Sequence, residues 1–274
     1  VSLDSLRLLY LDQPNEVSIE TLSRCNAACS FCPYPTLERI GTQMPDEMID
    51  RLIDEMSTWT VPFAFTPFKV NEPLLDKRLF DILSKVNERV PLAKIRIFTN
   101  GAPLTMRKAE ELNSIDNLEL WVSVHEPDAG TYKSVLGIDQ RHVVANLDAL
   151  HKTDFRHPVH ILRVGTDGAE EFRDWVWDRW PEFTPVVVWK SSWLGYTSPD
   201  RPVVPDTACS RWFELSIMST GIVSLCCMDG EGKFPIGDIN KQTMLEVYNS
   251  PAWRERRELM LSRRSVPVCE SCSY

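Results

Sequence analysis

Eight cysteines carry the chemistry that this sequence offers, and they fall into two groups. Cys25, Cys29 and Cys32 stand in RCNAACSFCP, whereas Cys209, Cys226, Cys227, Cys269 and Cys272 lie near the end. Three thiolates at the first spacing can bind three corners of a [4Fe–4S] cube and leave the fourth iron open, which is what a reaction needs. A structural zinc ion is the alternative, but such sites are closed by four ligands, and no fourth Cys or His lies near the first group. In the second group Cys209, Cys226, Cys269 and Cys272 offer four thiolates. Their spacing leaves both a closed cluster and a zinc ribbon open. Disulfide frameworks belong to small exported domains. This chain of 274 residues shows no basic, apolar signal at its start, so ligation in a reducing cytoplasm is the expectation.

The loop after a parallel strand is where α/β proteins place their chemistry, so the elements around the first group matter. Short β-rich runs are expected at Val17–Leu22, Phe63–Val70, Lys94–Thr99, Leu118–Val124, Val159–Val164 and Pro185–Lys190. Between them Pro45–Thr58, Lys77–Arg89, Met106–Ile115, His142–His151 and Ala169–Arg179 repeat aliphatic residues at helical spacing. Six strands alternating with helices predict a parallel α/β sheet with right-handed crossovers. From Ser198 a Pro-rich linker leads into a two-strand pattern turning at Ser219-Thr220-Gly221, then one helix over about Thr243–Leu261 and the terminal CESC.

A net charge of -9 argues against a nucleic-acid partner. No apolar run approaches the ~20 residues of a membrane span. The one basic run, Arg254–Arg264, intersperses Arg with Glu and apolar residues and is expected to be a solvated helix face.

CNAACSFCP, with the aromatic Phe31 just before the third cysteine, resembles the signature of the radical S-adenosylmethionine (SAM) superfamily. The six-unit β/α pattern resembles that family's partial (β/α)6, TIM-like barrel. The resemblance implies that SAM chelates the open iron and is cleaved by one electron to methionine and a 5′-deoxyadenosyl radical, which takes hydrogen from substrate. It also implies a flavodoxin- or ferredoxin-like electron donor. Asn71-Glu72-Pro73, after the second strand, is similar to the family's Gly-Gly-Glu-Pro segment that binds the SAM amino group, with Val70 and Asn71 in place of both glycines. Asn100, Ser123 and Arg163 close strands three, four and five, where the family often places other SAM ligands. Each also suits a turn or cap, as does His125.

The second group resembles the family's twitch-type auxiliary-cluster extension, a shortened form of the SPASM domain. That implies a second, fully ligated [4Fe–4S] cluster on Cys209, Cys226, Cys269 and Cys272. The resulting division is 1–16 as lead-in, 17–197 as barrel and 198–274 as auxiliary domain (β-hairpin plus helix). Cys227 remains, expected on a strand with its side chain opposite to that of Cys226. It is either a buried small hydrophobe or, as in related epimerases, a hydrogen-atom donor. Size and layout are similar to aminocyclitol dehydrogenases, aminoglycoside epimerases and peptide-modifying members. The short lead-in favours a small substrate, a sugar or aminocyclitol, over a peptide. The chemistry is then dehydrogenation or epimerisation; a non-enzymatic metal-binding scaffold is the reading from another class. Glu20, Lys69, Arg163 and Lys190 are charged groups on apolar strands, which are costly unless paired or in a cavity. They are candidates for the substrate side, with an internal Glu20–Lys69 salt bridge as the plain alternative.

Overall fold

The computed structural model describes residues 2–200, 203–272 and 274; Arg201 and Pro202 of the linker lie outside them. In chain order the elements are α1 (Leu3–Tyr10), β1 (Glu16–Ile19), α2 (Asp46–Ser57), β2 (Phe63–Thr66), α3 (Leu79–Arg89), β3 (Ala93–Thr99), α4 (Met106–Asn113), β4 (Leu118–Ser123) and α5 (Ala129–Leu136). Then follow α6 (Gln140–Leu150), β5 (Val159–Val164), α7 (Ala169–Arg179), β6 (Thr184–Val188), β7 (Glu214–Ile217), β8 (Ile222–Ser224), β9 (Pro235–Asp238), α8 (Met244–Tyr248) and α9 (Pro251–Glu258).

Strands β1 to β6 run parallel in sequence order, and the sheet continues past β1 through β7, β8 and β9 to nine strands. β7 is parallel to β1 over its whole length, from Glu16 opposite Glu214 to Ile19 opposite Ile217. The segment that the sequence sets apart from residue 198 therefore extends the same sheet. The strands alternate: Leu118, Leu120 and Val122 of β4 enter the core beneath the helices, whereas Glu119, Trp121 and Ser123 occupy the other face. Helix α2 docks Ile49, Leu52, Ile53 and Met56 on the first face, each burial contributing roughly 1.5–3 kcal/mol. Residues of the second face are half-buried or buried as well, because the sheet curls on itself into a partial barrel.

Several expectations need correction. β1 and β2 end at Ile19 and Thr66, and β6 at Val188, so Glu20, Lys69 and Lys190 lie in loops past their strands. The single C-terminal helix is two, α8 and α9, since Pro251 has no amide to continue α8 and holds Ser250 extended at ψ 139°. The hairpin has a third strand, β9, whose Pro235 and Gly237 hide it from pattern reading. Helices α1 and α5 went unforeseen; α5 carries Gly130 and is recognisable only by its Asp128 cap, which accepts from Thr131 N, and by Gly137 at φ 74°. The basic run is a solvated face only in part, with Arg264 exposed and Arg254 and Arg256 half-buried. Arg257 is fully buried beside the Tyr248 ring and donates to the Tyr248 and Leu11 carbonyls, and Arg263 is buried on the Thr207 and Ala208 carbonyls. No helix among the described residues is long and apolar enough to cross a membrane.

Candidate functional site

Cys25, Cys29 and Cys32 lie in the loop between β1 and α2, at the carboxyl end of the sheet. Backbone hydrogen bonds brace that loop: Glu72 N donates to Arg24 O (2.8 Å), and Ala28 N and Ser30 N donate to Leu136 O and Val135 O of α5 (2.9 and 2.8 Å). Arg78 clasps its ends by donating to Thr21 O (3.0 Å) and Met44 O (2.8 Å). The three thiols are half-buried and free. Burial pushes them up, Cys25 to about 12 and Cys32 to about 11. Burial raises Cys29 as well, and the charges of Cys32 and Cys25 add to that rise. Thiols that resist ionisation in isolation give up their protons to a metal. Among the described residues, no three His, Cys, Asp or Glu side chains are gathered closely enough to hold a single ion. A cube, with one thiolate at each iron, asks for a wider spacing.

Glu72 is buried, and both carboxylate oxygens bond within the protein. Oε1 accepts from Leu74 N (3.1 Å) and Thr99 Oγ1 (2.8 Å), and Oε2 accepts from Asn100 N (2.6 Å). Burial nevertheless lifts its pKa to about 7. The side chain thus ties the loop after β2 to the end of β3, while Pro73 opens the short 3-10 turn that follows. Asn71 accepts from Lys69 N (2.9 Å) and keeps a buried Nδ2 without a partner. Asn100 Nδ2 reaches Asn26 Oδ1 (2.8 Å) and, at 3.9 Å, Cys25 Sγ. Beside the cysteine loop lies a cavity of about 530 Å³ lined by Ser30, Phe31, Glu126, Arg163, Lys190 and Asp200, among others. That volume suits a cofactor of SAM's size. Arg163 is buried, paired with Glu126 (2.9 Å) and donating to Asp167 O (2.5 Å), and Lys190 stands 3.7 Å from Asp200. Ser123 is half-buried at the end of β4. His125 has a plain role: Nδ1 accepts from Val164 N (2.9 Å), and its ring packs on Phe31 at 4.7 Å.

Cys209, Cys226, Cys269 and Cys272 line a second cavity together with Trp212 and Arg263. Burial raises the Cys209 thiol to about 11, against the pull of Arg263. Cys226 and Cys227 follow β8 in a bend rather than lying on a strand, which corrects the opposite-faces expectation. Cys226 faces the cavity, whereas Cys227 is not part of its lining and feels Arg211, Glu214 and Lys69. In the short turn Trp193–Gly195, Trp193 packs on the Tyr34, Leu37 and Val70 cluster on which Cys25 and Cys32 also pack, and Leu194 lines the second cavity.

Glu20 and Lys69 do not pair. Glu20 is fully buried and ion-paired with Arg39, which also donates to Gly230 O and so ties the first loop to the C-terminal region. Lys69 is buried, and its Nζ donates to Ser216 Oγ (3.0 Å), Ser224 Oγ (2.7 Å) and Cys226 O (3.2 Å). Sequence reasoning missed Arg39, Arg78 and the aromatic residues of the inner face. Alternation in LELWVS and VHILRV could have exposed Trp121 and His160.

Residues 19–174 match the model of the radical SAM superfamily, and residues 209–273 match SPASM, an iron–sulfur cluster-binding domain. A curated relative from Niallia circulans, an S-adenosyl-L-methionine-dependent 2-deoxy-scyllo-inosamine dehydrogenase, is 27% identical over 133 residues, 47% of this chain and 53% of that protein. A probable GTP 3′,8-cyclase of Thermoplasma volcanium is 26% identical over 146 residues, 52% of this chain and 43% of that one. These matches thus span about half the length of each curated relative. The fold is that of BtrN in complex with AdoMet and 2-DOIA (TM-score 0.68, 16% identity, covering 95% of this chain and 93% of that one). It is also that of Streptococcus suis SuiB bound to precursor peptide SuiA (TM-score 0.71, 14% identity, 96% and 70%). With the family model matched over more than half of the chain, the cysteine loop included, the chain belongs to the radical SAM superfamily.

Proposed function

We propose that this protein oxidises a secondary alcohol of a small hydroxylated substrate, a sugar or cyclitol, and passes the second electron to a cluster on Cys209, Cys226, Cys269 and Cys272. The carrying observation is that these four cysteines line one cavity, a closed ligand set that leaves no iron free for substrate and suits an electron carrier. When bound, SAM and the [4Fe–4S] cluster on Cys25, Cys29 and Cys32 supply hydrogen-atom abstraction. The chain's own residues do the rest. Phe31 and Arg163 line the cavity given to SAM; Asn71, Glu72, Pro73, Asn100 and Ser123 are assigned to its amino-acid and ribose ends by the family resemblance, Glu72 acting by holding Asn100 and Thr99 in place and Asn71 offering a free buried donor. The cluster of Tyr34, Leu37 and Val70 packs against Cys25 and Cys32 and excludes water there. Lys69 places its Nζ beside Cys226, donating to the Cys226 carbonyl. The substrate loses one hydrogen atom and one proton to become a ketone, and a flavodoxin- or ferredoxin-like protein supplies the initiating electron.

Cys227 supports a second reading, epimerisation. It stands outside the auxiliary cavity, and burial keeps its thiol protonated, as a hydrogen-atom donor must be. Anaerobic turnover in deuterium oxide separates the two. A product lighter by two hydrogens supports oxidation, whereas unchanged composition with one deuterium gained overturns it and supports donation by Cys227. Whichever way it falls, Cys227→Ala should keep both clusters.

A further inference from the structure

The inner face of the sheet carries an aromatic row whose members are not among the expected site residues. Phe68, past β2, stacks on Phe98 of β3 (5.5 Å, 30°); Phe98 stacks on Trp121 of β4 (5.4 Å, 27°); and Trp121 stacks on His160 of β5 (4.0 Å, 23°). The register builds the row: Phe98 lies opposite Trp121, and Trp121 opposite His160. Alternation turns all three strand residues away from the helix-covered core.

The hydrogen-bonding capacity of this face is unevenly used. Its charges are committed: Arg96 to Glu16 (3.1 Å) and Glu119 (3.2 Å), Lys94 to Glu119 (2.5 Å), and Arg211 to Glu214 (2.7 Å). Lys69 has placed its three N–H groups on Ser216, Ser224 and Cys226. Trp121 Nε1, His160 Nδ1 and His160 Nε2, in contrast, are buried atoms without any partner. Orphaned polar atoms cost free energy when buried, and three of them on one row call for a ligand.

We propose that Trp121 and His160 form the substrate-recognition wall, and that it takes an uncharged, hydroxylated ring. This rests on the reading of the inner face as the substrate side. An indole N–H donates to a hydroxyl or carbonyl oxygen, and a neutral imidazole offers one donor and one acceptor, which matches hydroxyl groups that both give and accept. Ring C–H groups pack against the aromatic row. An anionic ligand would need a free cation and an ammonium a free carboxylate, and the charged groups of the wall are already engaged with one another.

The test is calorimetric titration of the anaerobically reconstituted, SAM-bound enzyme, without reductant, with myo-inositol and with 2-deoxy-scyllo-inosamine, the same kind of ring carrying an ammonium. Myo-inositol should bind the more tightly of the two. Trp121→Phe, which keeps the stack, and His160→Phe should each weaken it about tenfold, as loss of one or two neutral hydrogen bonds implies. His160→Asn, which restores a donor and an acceptor, should recover part of the loss. SAM affinity and iron content should stay unchanged in all three variants. Tighter binding of the amine, wild-type affinity in both Phe variants, or no binding of either ring at about 10 mM overturns the assignment. Ring binding of the expected kind, with no ketone formed once reductant is added in a separate turnover assay, would refute the proposed oxidation and leave the wall standing.

Discussion

Lys69→Met would remove a buried ammonium and keep an unbranched side chain of similar length. Three hydrogen bonds from a charged donor go with it, to Ser216, Ser224 and the Cys226 carbonyl. At about 1.5–3 kcal/mol each they sum to roughly 5–9 kcal/mol gross. Against this stands the cost of holding an ammonium out of water, several kcal/mol, and burial does keep the Lys69 pKa below the ordinary lysine range. The two effects largely offset, so Tm should move by no more than about 5 °C. The charge itself has no such compensation. Lys69 Nζ lies 3.2 Å from the Cys226 carbonyl; for a unit charge at a separation on the order of 6 Å and an effective dielectric of about 20 the contribution is about 2.8 kcal/mol, or roughly 120 mV for a one-electron couple. Removing it should therefore make the auxiliary potential more negative by that order and slow substrate oxidation, while SAM cleavage persists. The assay is an anaerobic redox titration followed by electron paramagnetic resonance, in a background where Cys25, Cys29 and Cys32 are replaced by Ala. A potential unchanged within about 20 mV would refute the electrostatic reasoning. Loss of the second cluster together with a large fall in Tm would make Lys69 a structural residue instead.

Anaerobic reconstitution should load about eight irons, and the triple Cys25, Cys29, Cys32 replacement about four; zinc in place of the remaining iron after anaerobic purification would sink the second assignment. Arg257→Met strands the Leu11 and Tyr248 carbonyls and the Tyr248 ring contact at 3.6 Å, so denaturant titration should show a loss of about 3–5 kcal/mol. For His125, burial lowers the pKa from 6.5 to about 3. The unfolded chain therefore takes up its proton below pH 6.5 while the folded protein does not, and stability is lost as pH falls from 6.5 towards 3. Between pH 7.5 and 5.5 this loss should come to about 1.4 kcal/mol, and it should vanish in His125→Gln. An equal slope in the variant would place the sensitivity elsewhere.

Much of the architecture was legible because its signals are local. LELWVS and VHILRV alternate with period two and became β4 and β5, the latter with the expected bounds. IDRLIDEM repeats at helical spacing and lies within α2. Where local signals conflict or are weak, boundaries slipped: the β-rich run FAFTPFKV stops as a strand at Thr66, because Pro67 cannot donate to the ladder. Helix α5, with a glycine near its start, became visible only once its caps and its bonds to the cysteine loop were seen.

The sequence by itself determined the first cysteine loop, since three thiols within eight residues must lie close together wherever the chain goes. It also determined the parallel sheet behind that loop, from periodicity. Only the tertiary structure decided that Glu20 meets Arg39 rather than Lys69, and that Lys69 reaches Ser216, Ser224 and Cys226 across about 150 residues of chain. The grouping of Cys226 rather than Cys227 with Cys209, Cys269 and Cys272 was already an expectation from the sequence, whereas only the tertiary structure stacked Phe68, Phe98, Trp121 and His160 in one row. Such contacts depend on strand order and register. β7 pairs beside β1 although some two hundred residues separate them, and a shift of one residue would turn every inner-face side chain into the core, something no local pattern records.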